Sequence, residues 1–171
     1  MDANLSPEEI YQTMEREIVR LEIKPGEFLS ENTLCKRFHV SRTPIRSVLQ
    51  RLEQGRFVQI LPHRGTRVTT INVDIVDQLI AQRVAVESMV LRDFVNTCTP
   101  SDVERVRYLL QILDDEGAKS HDLEQFDINE FWDKDIAMHE YWFKATGKMF
   151  LWENMTKPQS DYSRFCRLDI V

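Results

Sequence analysis

Two arginines four residues apart, Arg42 and Arg46, share one side of a segment that also carries Thr43, Ser47 and Gln50. At helical spacing these side chains form one face, and each can hydrogen-bond. Guanidinium forks suit phosphate oxygens and guanine edges, so the chemistry is recognition of a polyanion. His63 and Arg64 stand beside Gly65 and extend the basic character to a second point. A different constellation is Asp135 with His139, whose i, i+4 spacing places both side chains on one side of a helix, one turn apart. Imidazole with carboxylate suits zinc, nickel, manganese or iron. The same pair also reads as a buried Asp–His hydrogen bond with no metal. Arg83 interrupts an apolar stripe. It reads as an internal ion pair or a snorkelling stem, or as an anchor for an anionic effector through bidentate pairing to a carboxylate.

The elements that must position these groups follow from caps and periodicity. Ser6-Pro7-Glu8-Glu9 opens a first helix with a capping box and proline at its first position, and Ile10, Met14 and Ile18 supply its apolar stripe. Lys24-Pro25-Gly26 ends it. Ser30 caps a short second helix with Leu34 and Phe38 inward, and His39-Val40 makes a tight turn. Ser41 is the expected cap of a third helix, where it can also touch a phosphate. Ile45, Val48, Leu49 and Leu52 form its buried face, and Gly55 closes it. The runs 57–61 and 66–70 flank Pro62-His63-Arg64-Gly65, which reads as a hairpin with Gly65 supplying the positive φ. Three short helices and a hairpin make a winged helix-turn-helix, whose third helix enters the major groove.

Residues 71–171 read as helical. A long helix over 73–95 carries Val76, Leu79, Val86, Val90 and Phe94 on one face. Thr99-Pro100-Ser101-Asp102 caps the next, with Val103, Val106, Leu110 and Leu113 as its expected seam, followed by a loop over 117–123. A further helix over 126–146 places Asp135 and His139 amid Ile128, Phe131, Trp142 and Phe143, and Gly147 ends it. The chain is thus read as mainly α, with a winged helix-turn-helix over 1–70 and a helical effector-binding and dimerisation domain over 71–171.

Charge divides the same way. Residues 1–70 hold 11 Lys/Arg and 9 Asp/Glu, while residues 71–171 hold 11 and 19. The net charge of −6 therefore conceals a basic first part joined to an acidic second part. No run of about 18 apolar residues exists for a membrane span, and the acidic, polar start does not read as a signal peptide. Three cysteines without metal-ligand spacing fit reduced thiols, so a cytoplasmic location is expected. A glycine-rich phosphate loop and a nucleophile elbow are both missing, so an enzyme is not expected.

Three stretches together resemble the N-terminal domain of GntR-family bacterial transcription regulators. They are Leu21 to Glu31 (LEIKPGEFLSE), Val40 to Arg46 (VSRTPIR) and Pro62 to Gly65 (PHRG). The resemblance implies DNA-binding roles for Arg42, Thr43, Arg46, His63 and Gly65. It departs at Asn32, where many members carry an arginine. Asp135-Ile136-Ala137-Met138-His139, followed by Ala145-Thr146-Gly147-Lys148, resembles the Asp-x-x-x-His helix of the FadR/FCD branch. That resemblance implies an all-helical domain binding a small carboxylic acid. It also implies a metal held by this Asp, this His and two later histidines. The remaining histidines here are His39, His63 and His121, so half of that ligand set is present and the helical domain is expected to be truncated at its C-terminal end.

The sequence therefore predicts a regulator that binds double-stranded operator DNA as a homodimer, since one helix reads only a half-site. Ser41, Arg42, Thr43, Arg46, Gln50, His63, Arg64 and Gly65 are its expected DNA contacts, Arg83 its effector anchor, and Asp135 and His139 its metal ligands. The alternatives are a DNA-binding protein whose second domain senses nothing, or a metalloenzyme built on Asp135 and His139.

Overall fold

The computed structural model describes residues 5–121, 126–156 and 160–168. It contains helices α1 (Pro7–Val19), α2 (Glu31–Phe38), α3 (Arg42–Gln54), α4 (Val73–Thr97), α5 (Pro100–Gly117), α6 (Ile128–Ala145), α7 (Met149–Thr156) and α8 (Ser160–Leu168). Strands β1 (Phe28–Leu29), β2 (Val58–Leu61) and β3 (Gly65–Val68) form one antiparallel sheet in the order β1-β3-β2.

The chain divides into two compact units, one running to Val76 and taking in α8, the other from Asp77 through α7. The core of the first is built from the stripes its helices present. Ile10, Met14 and Ile18 of α1 meet Leu34 and Phe38 of α2 and Ile45, Val48, Leu49 and Leu52 of α3, all buried, and Phe57, Val58 and Val68 of the sheet close it. Burial of such a side chain contributes about 1.5–3 kcal/mol, so four on α3 alone hold that helix firmly by its back.

The caps explain the boundaries. Ser6 and Glu9 form the expected box at α1, and Ser30 accepts from Thr33 N–H at α2. His39, at φ 54°, ends α2 in the left-handed region. Ser41 does occupy the N-cap position of α3, but its side chain makes no capping hydrogen bond, so its hydroxyl stays exposed at the helix start. The wing turns at His63 (φ 59°) and Gly65 (φ 95°), so glycine supplies one of two positive angles. The third strand, β1, is additional to the expected hairpin. It pairs Phe28 with Arg67 and Leu29 with Thr66, and ties the turn after α1 to the wing.

In the second unit, α4 turns Val86 and Val90 toward Phe143 of α6 and Trp152 and Met155 of α7. Thr99 and Asp102 form a capping box at α5. Asp102 also accepts from Tyr141 Oη at 2.7 Å, which ties that cap to α6. The inward side of α5 differs from the expected seam. Val103 and Leu110 are exposed, whereas Leu109 and Glu116 are buried. Glu116 is held there by Lys119 at 2.9 Å and by Lys134 of α6. Residues 118–121 of the expected loop form a short 3-10 turn, and positions 122 and 123 lie outside the described residues. Asp127 caps α6, so that helix begins two residues later than periodicity suggests.

Helix α8 packs with the first unit, although the sequence division at residue 71 assigned it to the second. The reason is Arg164, whose side chain has no solvent exposure. Its Nε donates to Ser160 O at 2.9 Å, its Nη2 to Thr69 Oγ1 at 3.1 Å, and its Nη1 to Thr69 O. Asp161 stands 3.5 Å from Nη2 and accepts from Asn72 N–H at 2.8 Å. The connector leading from the wing into α4 is thus gripped at residues 69 and 72 by one turn of α8.

Candidate functional site

The face of α3 opposite its core is outward as a set. Ser41, Arg42, Thr43, Arg46, Ser47 and Gln50 are all exposed, while their intervening neighbours Ile45, Val48 and Leu49 are buried. His63, Arg64 and Gly65 are exposed at the wing tip. A groove of about 590 Å³ runs between them, with Arg46 on one side and His63, Arg64 and Gly65 on the other. The structure therefore brings Arg46 of the helix and His63, Arg64 and Gly65 of the wing to one groove, while Arg42 is exposed on the outward side of α3.

Not all of the basic segment is available to a ligand. Arg51 pairs with Glu8 of α1 and covers the Tyr11 ring, with its guanidinium carbon 3.8 Å from the ring centre. Arg37 pairs with Glu17. Arg67 donates from Nε to Gly26 O at 2.9 Å and lies over Phe28. These three hold α1, α2 and β1 in place. On the outward face of α3, Arg46 Nε donates to both oxygens of Glu31 at 3.1 Å, and this hydrogen-bonded ion pair raises the guanidinium above its usual pKa. Arg42 Nη2 donates to Asn32 Oδ1 at 2.9 Å. Sequence reasoning about the outward face of α3 does not reach Glu31 and meets Asn32 only as a departure. Their signal was position, since the first turn of α2 precedes the turn that delivers α3.

The second candidate site lies between α4 and α6. Asp135 and His139 do face the same side, but Nε2 of His139 is 3.6 Å from Asp135 Oδ1, beyond hydrogen-bond length. The imidazole instead uses Nδ1, which donates to Glu87 Oε2 at 2.6 Å. Glu87 Oε1 accepts from Arg83 Nε at 2.6 Å. Arg83, Glu87, His139 and Asp135 thus form one polar line in a largely apolar setting, with side chains 13–22% exposed. Arg83 therefore has the internal ion-pair partner that was one of its readings. Burial alone acts to raise the Glu87 pKa, and the His139 and Arg83 bonds outweigh it, leaving the carboxyl below its usual value. Burial dominates at Asp135 and raises it, against the nearby charges of His139 and Arg83. Trp142 stacks at an angle against the imidazole, with centroids 4.7 Å apart.

The residues fit part of a metal site. A metal-ligating histidine usually gives its other ring N–H to a carboxylate, and Glu87 occupies that place. No group of three or more His, Cys, Asp or Glu side chains among the described residues is arranged to hold a metal.

Comparison with known proteins concerns the N-terminal region most directly. Residues 7–68 match the family model for bacterial regulatory proteins of the gntR family. The HTH-type transcriptional repressor RspR of Escherichia coli (strain K12) is 27% identical over 166 residues, which is 96% of this chain and 70% of that protein. An HTH-type transcriptional regulator in an unstable DNA locus of Streptomyces ambofaciens is 31% identical over 162 residues, 95% of this chain and 65% of that protein. Among solved structures, a transcriptional regulator GntR from Rhodococcus sp. RHA1 superposes with a TM-score of 0.66 at 22% identity, covering 95% of this chain and 72% of that one. E. coli McbR/YncC gives 0.67 at 18% identity, covering 95% and 73%. At these identities the two structures speak to the fold. No helix among the described residues is long and apolar enough to cross a membrane. Residues 7–68 thus form a winged helix-turn-helix that matches the gntR family model, and 95–96% of the chain is similar to HTH-type transcriptional regulators, of which it spans 65–70%, so the chain carries the DNA-binding domain of a transcriptional regulator.

Proposed function

We propose that this regulator binds operator DNA as a homodimer, and that its second unit senses a small organic acid, assisted by a divalent metal, as in the FadR/FCD branch that its Asp-x-x-x-His helix resembles. The DNA contacts in this reading are Ser41, Arg42, Thr43, Arg46 and Gln50 on α3 and His63, Arg64 and Gly65 on the wing. Exposure of every member of the set, with Arg46, His63, Arg64 and Gly65 lining one groove, supports it. A dimer places two such surfaces on successive half-sites.

For sensing, the single observation that carries the reading is the orientation of His139. Glu87 takes Nδ1, and Nε2 remains on the side of Asp135. Asp135 and His139 would hold the ion there, and when bound it would supply a positive charge toward which an acid is drawn. Arg83 lies one turn from Glu87 on α4 and offers a second cation to the acid's carboxylate. Metal analysis of the purified protein, with and without the Asp135→Ala/His139→Ala pair, tests the site. Operator affinity measured with small organic acids present then tests the coupling. A protein that holds no metal, and whose operator affinity no acid alters, is a DNA-binding protein that senses nothing. The mutual satisfaction of Arg83, Glu87 and His139 is the observation that favours that second reading.

A further inference from the structure

The first turn of α2 holds both arginines of the reading helix, and it holds them differently. Asn32 Oδ1 accepts from Arg42 Nη2 at 2.9 Å, a bond between a neutral amide and a cation. The residue before it, Glu31, accepts from Arg46 Nε at 3.1 Å on each oxygen, a bond between opposite charges. Ser30 caps α2 and so fixes where these two successive side chains leave the helix. Arg42 therefore presents its whole positive charge outward, whereas the charge of Arg46 is compensated. Glu31 is also the one acidic residue lining the groove that Arg46, His63 and Arg64 share.

A phosphate brought to this groove out of register meets a carboxylate beside a guanidinium that is already paired. Like-charge repulsion then disfavours the encounter. An exposed pair of this kind is weak, with the Arg46 side chain 62% and Glu31 34% exposed. Arg46 thus changes partner readily once a DNA acceptor lies in its reach. Arg42 makes no such exchange, because an amide acceptor leaves its charge and most of its donors in place.

We propose that Glu31 and Asn32 are specificity-determining positioning residues: Asn32 fixes the pose of Arg42, and Glu31 masks Arg46 from DNA that is out of register. The proposal rests on the reading that α3 and the wing face DNA. Neither residue needs to touch a base, since both act through the arginines they hold.

The full chain is tested against two fluorescent duplexes, one selected by the wild-type protein from a random pool and one of scrambled sequence. Affinity is followed by anisotropy across a salt series. Glu31→Gln keeps size and shape but removes the mask. It is expected to tighten scrambled-DNA binding about tenfold at low salt and to steepen the log–log salt dependence by about one phosphate contact. Its preference for the selected duplex falls accordingly. Asn32→Asp keeps the acceptor but gives Arg42 the same mask, and is expected to make the slope shallower by about one contact. Asn32→Ala frees the Arg42 side chain, and is expected to weaken the selected duplex several-fold with no change of slope. Circular dichroism confirms that each variant is folded. Wild-type slopes and preferences in Glu31→Gln and Asn32→Asp overturn the proposal. The reading beneath it fails separately: if Arg42→Ala and Arg46→Ala also leave both duplexes bound as before, α3 does not face DNA.

Discussion

Replacing Arg164 with methionine keeps most of the apolar volume and removes the guanidinium that fastens α8 to the connector. Two of its bonds reach across the chain to Thr69, one to the carbonyl and one to the hydroxyl. Hydrogen bonds from a charged donor contribute about 1.5–3 kcal/mol each, so the gross loss is about 3–6 kcal/mol. Part is recovered, because the variant no longer keeps a cation out of water, and burial already pulls this guanidinium below its ordinary pKa against the opposing charge of Asp161. Asp161 is itself buried and is left without the cation 3.5 Å away. Loss of one partner of a buried pair typically costs about 3–5 kcal/mol, and a net loss of about 3 kcal/mol is expected. Urea unfolding followed by far-ultraviolet circular dichroism reads this directly. At a slope of about 1–3 kcal/mol per molar, the midpoint falls by about 1–3 M. The amide of Asn72, which donates to Asp161 at 2.8 Å, exchanges faster with solvent in the same variant. All three tryptophans, Trp132, Trp142 and Trp152, lie in the other unit, so their emission serves as the internal control. A wild-type midpoint together with wild-type protection at residue 72 would refute the clamp.

Arg42→Ala is expected to weaken binding of a selected duplex by about 1–3 kcal/mol if the side chain reads a base. Its thermal stability should stay within about 0.5 kcal/mol of wild type, as for an exposed position. Gly65→Ala meets no atom closer than 4.0 Å, so its whole cost is the φ of 95°. About 1–3 kcal/mol of strain follows for a residue with a Cβ, and differential scanning calorimetry should show a lowered transition. Glu116 is held below its usual pKa by hydrogen bonds from Lys134 and Lys119. A carboxyl whose folded value lies below its unfolded value stabilises above the unfolded value, 4.5 for glutamate, and that contribution is lost as pH falls through the folded value. Glu116→Gln should therefore lower the melting temperature at pH 7, and the gap from wild type should close as tryptophan-monitored melts are taken to pH 3. A gap of constant size would contradict the ionic account.

What could be read in advance depended on whether one period or one partner within a few residues carried the signal. The buried face of α3 obeys helical spacing, and its outward face is simply the remainder, so both were legible. Strand β1 was not, because two residues have no alternation to read and Phe28 is placed by pairing with Arg67, far along the chain. The seam of α5 was misjudged for a related reason. Val103 and Leu110 look like core residues, yet Glu116 takes the inward place because two lysines from later in the chain compensate it. Helix α8 (SDYSRFCRL) turns mostly polar residues inward, Ser160, Asp161, Arg164 and Arg167 among them, so apolar spacing does not announce its buried face. Glu87 lies 52 positions from the histidine it binds. It nevertheless stands four residues after Arg83, an i, i+4 spacing that could have pointed to it as the arginine's partner.

Glu87 is also where sensing and non-sensing readings of the second unit part. It occupies Arg83 and His139 at once. In a purely structural pair that is the whole purpose. In a sensor, a carboxylic acid must take Arg83 from a carboxylate already bound, so the occupied state is the acid-free state. Glu87→Gln preserves the shape and weakens both bonds, since an amide is a poorer acceptor and its NH₂ faces a donor on at least one side. Either reading predicts a less stable protein, by about 1–3 kcal/mol for a group left poorly paired. They differ in ligand response. With the competitor neutralised, a small organic acid should raise the melting temperature of Glu87→Gln more than that of wild type, because binding to the native state stabilises it in proportion to affinity. Arg83→Met on the same background should abolish the difference. If no acid shifts either protein, the polar line between α4 and α6 is structural, and the effector-anchor role of Arg83 falls with it.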